Sequence, residues 1–149
     1  MPVTAAQDYA GQLRLADLRV TRPRVAVLGV VFDQPHADTE TIFDSVRTRL
    51  PEVSRQTVYD VLVALATVGL VRRIQPSGSV ARYESRVGDN HHHVVCRSCG
   101  VIADVDCAFG DAPCLTPFDV SGSLDGFSVD EAEVIYWGQC FTCSTAPIS

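Results

Sequence analysis

The strongest indication of the fold lies in residues 54–84, which read SRQTVYDVLVALATVGLVRRIQPSGSVARYE. Ser54 is a typical helix N-cap, and Gly69 suits the end of the helix that follows. The apolar stripe between them has helical spacing and consists of Val58, Val61, Leu62, Leu65 and Val68. Two β-like runs then flank a turn-forming Pro-Ser-Gly-Ser stretch, one from Leu70 to Ile74 and one from Val80 to Glu84. A capped helix followed by such a hairpin predicts a winged helix-turn-helix.

Three further helices are predicted upstream of this segment. The second is capped by Thr21 with Pro23 in its first turn, and the third starts at Asp38 or Thr39 and ends at Pro51. The apolar side chains that line these helices are Tyr9, Leu13, Ala16, Val25, Leu28, Phe32, Ile42, Phe43, Val46 and Leu50. The first half of the chain is therefore predicted to be mainly helical.

The second half is predicted to be rich in β-structure, with a short helix between Cys107 and Gly126. The expected strands cover residues 93–95, 101–105, 127–129 and 133–137. The predicted fold class is α+β, with a winged-helix domain over residues 1–86, a polar hinge over 87–92 and a small α/β domain over 93–149.

Composition restricts the function classes. The chain has 149 residues, of which 46% are hydrophobic and 20% charged, and this excludes a disordered or collagen-like chain. No apolar run approaches the ~20 residues that cross a bilayer, and no secretion signal is apparent, so we expect a cytosolic protein without a membrane partner. In a reducing compartment, six cysteines favour metal binding over a disulfide framework.

Charge is divided unevenly along the chain. Residues 1–86 carry 11 Arg and 9 acidic residues, whereas residues 87–149 carry 1 Arg and 9 acidic residues. The first part can therefore approach phosphate although the whole chain has a formal charge of −6.

The helix that begins after Ser54 carries a second, polar face. Arg, Gln and Tyr side chains near the N-terminus of a recognition helix can contact guanine, adenine and the thymine methyl group. The candidate DNA-binding residues are Arg19, Arg22, Arg24, Arg55, Gln56, Tyr59, Arg72, Arg73 and Arg82. Taken together on one motif, they favour double-stranded DNA over a merely solvated surface.

Two Cys-x-x-Cys pairs, Cys96 with Cys99 and Cys140 with Cys143, indicate a metal site. Four thiolates form a closed tetrahedral zinc site, which is typically structural. Thioredoxin-like redox motifs are disfavoured because no βαβ unit flanks either pair. The two remaining cysteines, Cys107 and Cys114, are interpreted as small partly buried side chains.

A histidine cluster indicates a second metal site. In a strand, His91 and His93 share one side, and nitrogen and oxygen donors of this kind bind Fe(II), Mn(II), Co(II) or Zn(II). His36, Glu84 and Asp104 are the other candidate ligands. A site of this composition joins both sides of the predicted hinge, so metal binding would fix the DNA-reading elements.

These segments together resemble the ferric uptake regulator family, over nearly the whole chain from Leu18 to Cys143. The motifs that carry the resemblance are Ser54-Arg55-Gln56-Thr57-Val58-Tyr59, Ala81-Arg82-Tyr83-Glu84, the stretch from His91 to Gly100, and the terminal Cys-x-x-Cys. The resemblance implies a homodimeric, metal-dependent repressor that binds a palindromic operator and takes no small-molecule substrate. It also implies a C-terminal dimerisation domain, structural Zn²⁺ on the four paired cysteines, and regulatory Fe²⁺ or Mn²⁺ on the five hinge ligands.

Departures from the family pattern indicate which metal or oxidant the regulator responds to. Ala132 stands where many members have a histidine of a further metal site, and His92 with Asp111 offers too few ligands for one. Asp104 is similar to the peroxide-sensing branch, whereas Glu84 is more like the iron-responsive branch. We therefore expect an Fe(II)-dependent repressor of oxidative-stress genes, ahead of a plain iron- or zinc-uptake repressor.

Two readings outside transcription remain open on the residues alone. A hydrolytic or non-haem iron enzyme would need a general base, and no carboxylate in an obvious base motif is found. The other reading is a zinc-ribbon module that binds proteins, in which the arginine-bearing helix would have only a structural role. We expect a regulator and not an enzyme.

Overall fold

The computed structural model describes residues 7–87, 89, 91–106, 122, 124–129 and 131–145. The chain divides into two compact units, Met1–Val87 and Gly88–Ser149. Neither unit contains, among the described residues, a helix that combines the length and the apolar character needed to cross a membrane.

Four helices form the body of the first unit, and each begins at a side-chain cap. They are α1 (Tyr9–Leu15), α2 (Arg22–Asp33), α3 (Thr39–Arg49) and α4 (Arg55–Thr67). The predicted caps are confirmed, because Thr21, Asp38 and Ser54 each accept a hydrogen bond from a backbone N–H three residues later. Gly69 ends α4 with a φ of 79°.

The core of the first unit is built from the predicted apolar stripes. Its largest fully buried members are Leu13, Leu28, Ile42, Leu62 and Leu65. Two predicted core residues are exposed instead. Phe32 is 42% exposed near the end of α2, where its ring meets the edge of Tyr9, and Val68 is 38% exposed because it is the C-cap of α4.

A small antiparallel sheet completes the first unit. It comprises β1 (Ala37–Asp38), β2 (Arg72–Ile74) and β3 (Arg82–Glu84), in the order β1-β3-β2. The hairpin of β2 and β3 is the predicted wing, with shorter strands than the sequence indicates. The two-residue β1 was not predicted, because strands this short leave no alternating pattern.

The second unit contains a three-stranded sheet and one short helix among its described residues. These elements are β4 (His91–Cys96), β5 (Ile102–Asp106), β6 (Ile135–Gly138) and α5 (Phe141–Thr145). In the order β5-β4-β6, β5 runs antiparallel to β4 and β6 runs parallel to it.

Several sequence predictions for this unit need correction. The strand β4 begins at His91, so that two of the residues assigned to the hinge belong to the sheet. Residues 127–129 form no strand, since they lie outside the sheet ladder. The helix expected between Cys107 and Gly126, together with Cys107, Asp111 and Cys114, falls on a stretch that is largely outside the described residues.

Candidate metal centres and nucleic-acid interface

The four paired cysteines lie together in the second unit. One Sγ atom from each residue lies within 4.8 Å of the others, and the Sγ atoms of Cys99 and Cys140 are 3.8 Å apart. The two Cys-x-x-Cys pairs come together because β6 pairs in parallel with β4. Gly138 is in register with Cys96, so Cys140 lies beside the end of β4. Gly100, with a φ of 79°, closes the turn that follows Cys99.

The electrostatics of this cluster suit a bound cation. Backbone N–H groups of Cys140 and Cys99 stabilise the Cys96 thiolate and lower its pKa to about 6. The neighbouring sulphurs of Cys140, Cys96 and Cys99 raise the pKa of Cys143 to about 12. Four thiolates at this separation repel one another, and a divalent metal relieves that repulsion. The donor set is consistent with a closed zinc site.

The histidines of β4 form a second donor cluster with β5. The Nε2 atom of His93 lies 3.4 Å from Oδ1 of Asp104, and that of His91 lies 3.8 Å from the same oxygen. The two imidazole rings meet edge to face, with centroids 4.9 Å apart. The two rings lie on the same face of β4, as predicted, because side chains alternate between the faces of a strand and His91 and His93 are two residues apart. We call these three residues the second-unit donor triad.

A further carboxylate, which sequence reasoning missed, fixes one ring of this triad. Oδ1 of Asp89 lies 2.5 Å from Nδ1 of His91, which orients the ring so that Nε2 faces Asp104. The only sequence signal is an acidic residue two positions before the first histidine. His92 points the other way, and its Nδ1 accepts a hydrogen bond of 3.3 Å from the backbone N–H of Val134. This contact gives His92 a structural role.

The first unit brings together the other two predicted ligands. Nε2 of His36 lies 3.3 Å from Oε2 of Glu84, whose side chain is almost fully buried. His36 has a φ of 68°, which is uncommon for a non-glycine residue. Its backbone is held on both sides, because its N–H donates to the carbonyl of Tyr83 and its carbonyl accepts from Arg82. We call His36 and Glu84 the first-unit donor pair.

Imidazole nitrogens and carboxylate oxygens are the donors that Fe(II), Mn(II) and Zn(II) accept. Glu84 is almost fully buried, and its carboxylate faces the His36 imidazole. The donor chemistry of both clusters therefore fits a transition-metal ion.

The predicted reading face lies on the first two turns of α4. Arg55 and Gln56 are exposed, and Tyr59 is partly exposed one turn later. The amide of Gln56 donates to Asp60 at 2.8 Å, which keeps its side chain along the helix surface. Gln56 stands opposite the buried stripe of Val58, Val61, Leu62 and Leu65, whereas Arg55 and Tyr59 flank it.

An acidic residue of α3 contacts this face and was not predicted. Glu40 accepts hydrogen bonds from Arg55 and, at 3.1 Å, from the Tyr59 hydroxyl. Hydrogen bonds from Arg55 and then Tyr59 lower the pKa of Glu40 below its ordinary value. The Arg55 guanidinium also lies 4.4 Å from the centre of the Phe43 ring. Glu40 sits in the first turn of α3, where an acidic residue usually indicates only helix stabilisation.

Arginines at the start of α2 form a basic cluster. Arg19 and Arg22 are exposed, and Nη1 of Arg24 donates to the carbonyl of Arg19 at 2.7 Å. This hydrogen bond connects the segment that precedes α2 to the first turn of α2. Three arginines therefore lie within six residues of one another at the start of α2.

The arginines of the wing differ in accessibility. Arg73 is exposed and donates to Gln75 at 2.6 Å, whereas Arg72 is partly buried and pairs in register with Glu84. Arg82 is also partly buried, and its Nη1 donates to the His36 carbonyl at 3.1 Å. Arg82 therefore supports the first-unit donor pair from within the fold.

Comparison with known proteins places these features in one family. Residues 15–109 match the model of the "Ferric uptake regulator family". The chain is 71% identical over 147 residues to "Transcriptional regulator FurA" of Mycobacterium tuberculosis, covering 99% of this chain and 97% of the relative. The "Peroxide-responsive repressor PerR" of Staphylococcus aureus is more distant, at 24% identity over 139 residues, 92% of this chain and 90% of that one.

Solved structures with low sequence identity share the fold. The ferric uptake regulator Fur of Helicobacter pylori, described with three functional metal-binding sites, superposes with a TM-score of 0.67 at 19% identity, covering 92% of this chain and 89% of that one. The regulator of Pseudomonas aeruginosa with manganese gives a TM-score of 0.66 at 24% identity, covering 91% and 99%. The expected α+β architecture, with a winged helix followed by a small α/β domain, is confirmed. The chain belongs to the ferric uptake regulator family and is a metal-responsive transcriptional regulator, not an enzyme.

Proposed function

We propose that this protein is a homodimeric repressor that binds a palindromic operator when Fe²⁺ or Mn²⁺ is bound. The observation that carries the proposal is the second-unit donor triad, in which two buried imidazoles and a carboxylate converge. The same chain carries a capped helix whose exposed face has base-reading chemistry. A metal-binding cluster and a reading helix in one chain are the combination that a metal-dependent repressor needs.

In this proposal α4 enters the major groove of double-stranded DNA. Arg55 contacts guanine, Gln56 contacts adenine, and the Tyr59 ring contacts a thymine methyl group. The phosphate contacts are assigned to Arg19, Arg22, Arg24, Arg72, Arg73 and Arg82. The exposed positions of Arg19, Arg22 and Arg73 support this assignment most directly.

A structural Zn²⁺ ion is assigned to Cys96, Cys99, Cys140 and Cys143. The four cysteines come from the end of β4, the turn after it, the residue before α5 and α5 itself, so their joint ligation would hold the carboxyl ends of β4 and β6 together. A zinc ion on four thiolates supplies folding free energy and no open coordination position.

The regulatory ion is assigned to His36, Glu84, His91, His93 and Asp104. The first-unit donor pair offers two ligands and the second-unit donor triad offers three, so neither completes a six-coordinate shell alone. We propose that one ion binds both sets and thereby selects the DNA-binding arrangement of the two units. Fe²⁺ or Mn²⁺ is favoured in the cell, and Zn²⁺ can substitute in vitro because it binds nitrogen donors tightly.

We place the dimer contact at strand β6. In the described sheet β6 is an edge strand, and an edge offers unpaired backbone groups to a second copy. Its Tyr136 and Trp137 are 51% and 37% exposed in the single chain. Pairing of two identical edges has two-fold symmetry, which matches a palindromic operator.

Peroxide is the proposed signal. Bound Fe(II) would supply reactivity toward hydrogen peroxide, and an imidazole of His36, His91 or His93 would gain one oxygen atom while the peroxide is reduced to water. Loss of one imidazole from a site this small would weaken metal binding and release DNA. The alternative is a plain iron- or zinc-uptake repressor without peroxide sensing, and the relatives of Mycolicibacterium fortuitum that carry the name "Ferric uptake regulation protein" favour it.

Fluorescence anisotropy tests the proposal. Zinc-loaded protein is titrated under anaerobic conditions onto a duplex that the protein selects from a random library, with and without Fe(II). Binding that requires Fe(II) and is lost after peroxide, with a histidine-containing peptide one oxygen atom heavier, supports the peroxide-responsive repressor. Binding that requires Fe(II) but survives peroxide supports the alternative. Failure to select any duplex would refute DNA-binding function.

A further inference from the structure

One carboxylate of α3 connects the two reading residues of α4. Glu40 accepts from Arg55 through Oε2 and from the Tyr59 hydroxyl through Oε1, so each of its oxygens holds a different side chain. All three residues are at the surface, and none of them belongs to the core of the first unit. The bridge therefore has no evident role in packing.

The Arg55 side chain is held from two directions. Glu40 binds its Nη1 atom, and the ring of Phe43 lies 4.4 Å beneath the guanidinium carbon. A guanidinium group has five N–H donors in a rigid fork, of which Glu40 is bound through Nη1, and Tyr59 also interacts with the group. The N–H donors of Arg55 that these two contacts do not use can bind a base.

The bridge also changes how Arg55 interacts with phosphate. A free arginine is attracted to any phosphate, and such attraction dominates non-specific DNA binding. Beside Glu40 the charge of Arg55 is compensated, whereas its hydrogen-bonding donors remain. Contacts that depend on hydrogen-bond geometry are therefore favoured over contacts that depend on charge alone.

We propose that Glu40 is a specificity-determining positioning residue, which orients Arg55 and Tyr59 for base reading and suppresses their binding to phosphate. This inference rests on the proposed DNA-binding function of α4. It assigns to α3 a direct part in sequence discrimination, beyond that of a packing helix.

The test compares Glu40→Gln with a matched control, Asp44→Asn. Asp44 is exposed on the same helix one turn later, so both variants remove one negative charge from α3. Metal-loaded proteins are titrated onto the duplex selected by the wild type and onto a scrambled duplex, at several salt concentrations. For Glu40→Gln we expect the ratio of specific to non-specific affinity to fall about tenfold, the loss of roughly one well-oriented base contact.

Two readouts separate positioning from a general charge effect. The non-specific salt slope of Glu40→Gln should steepen by about 0.9, as one more arginine engages phosphate. In a double-mutant cycle, the effect of Glu40→Gln on the affinity ratio should be smaller in an Arg55→Ala background, where only the contact of Glu40 with Tyr59 remains. Circular dichroism should show both single charge variants fully folded at the temperature of the binding assay.

Several results would overturn the inference. An unchanged affinity ratio for Glu40→Gln, an equal change for Asp44→Asn, or a full effect in the Arg55→Ala background would each show that Glu40 does not act through Arg55. These outcomes leave the proposed function intact, because the wild type still discriminates between the duplexes. Wild-type protein that binds both duplexes equally would refute the proposed function, and this inference with it.

Discussion

The second unit should depend on zinc for folding, whereas the first unit should not. Among the described residues, the apolar side chains buried in the second unit are Val95 and Cys96, at 3% and 5% exposure. Full burial of an apolar side chain contributes about 1.5–3 kcal/mol. Zinc binding by a four-ligand structural site contributes about 10–16 kcal/mol at neutral pH. A zinc ion on the four cysteines would therefore be the larger stabilising contribution in this unit.

The substitution Cys96→Ser tests this dependence. It removes the thiolate that the N–H groups of Cys140 and Cys99 stabilise, so the weakened site should lose its zinc and the second unit should unfold. The chain's single tryptophan, Trp137, reports on this unit alone, because it lies in β6 with Arg97 5.6 Å from its ring centre. Its emission should shift to the red without added denaturant.

The helical first unit supplies the comparison in the same sample. Its core consists entirely of residues before the unit boundary, so its cooperative urea transition, followed by circular dichroism, should persist in Cys96→Ser. Ser98→Ala is the matched control, since it changes an exposed residue of the same turn that offers no thiolate. Zinc-free Cys96→Ser protein with native Trp137 emission and an intact dimer would refute the reasoning.

Three further predictions concern the first unit. Ser54→Ala should destabilise it by about 1 kcal/mol in urea denaturation through loss of the α4 cap, and Ser54→Asp should restore stability; equal stability of all three proteins would exclude a capping role. Leu62→Ala should cost about 2–5 kcal/mol in the same assay, because Leu62 is 1% exposed, while Trp137 emission stays unchanged. The N–H of Thr41 lowers the pKa of Asp38 below its ordinary value of 3.8. The ionised carboxylate therefore stabilises the fold above that value, and the stabilisation is lost as the pH falls through the lowered pKa. Asp38→Asn should make the acid transition below pH 3.8 shallower, and an unchanged acid profile would contradict this.

Helix caps and apolar spacing in the sequence are sufficient to predict most of the helices of the first unit. Thr21, Asp38 and Ser54 predict their helices because a cap and the apolar period after it give the same boundary. Exposure was harder to predict at helix ends. Phe32 continues the apolar period but lies beside Tyr9 at the surface, although Val30 and Val31 of the same turn are buried, and Val68 lies just past the last residue of α4.

The second unit was less predictable because its structure depends on long-range pairing. The parallel partner of β4 lies some forty residues later, and no local pattern specifies that register. The short cysteine spacing predicts the four-cysteine cluster without it, since each pair already fixes two sulphurs locally. Alternation in the strand likewise predicts that His91 and His93 share a face.

Residues that act through a partner left only weak signals in the sequence. Glu40 and Asp89 are ordinary surface acids by type, and their roles arise from the side chains they contact, Arg55 and His91. The strained backbone of His36 is also invisible in the sequence, because it results from hydrogen bonds to residues of β3. Such contacts become visible only in three dimensions.

The central claim is that one regulatory ion takes ligands from both units. Mn(II) binding to zinc-loaded protein, measured by electron paramagnetic resonance, tests it most directly in Glu84→Gln, a first-unit variant, and His93→Ala, a second-unit variant. The account predicts one Mn(II) ion per wild-type chain and an affinity at least about tenfold lower in each variant, as expected when a ligand is lost. Wild-type affinity in Glu84→Gln beside loss in His93→Ala would contradict it, because the ion would then belong to the second unit alone.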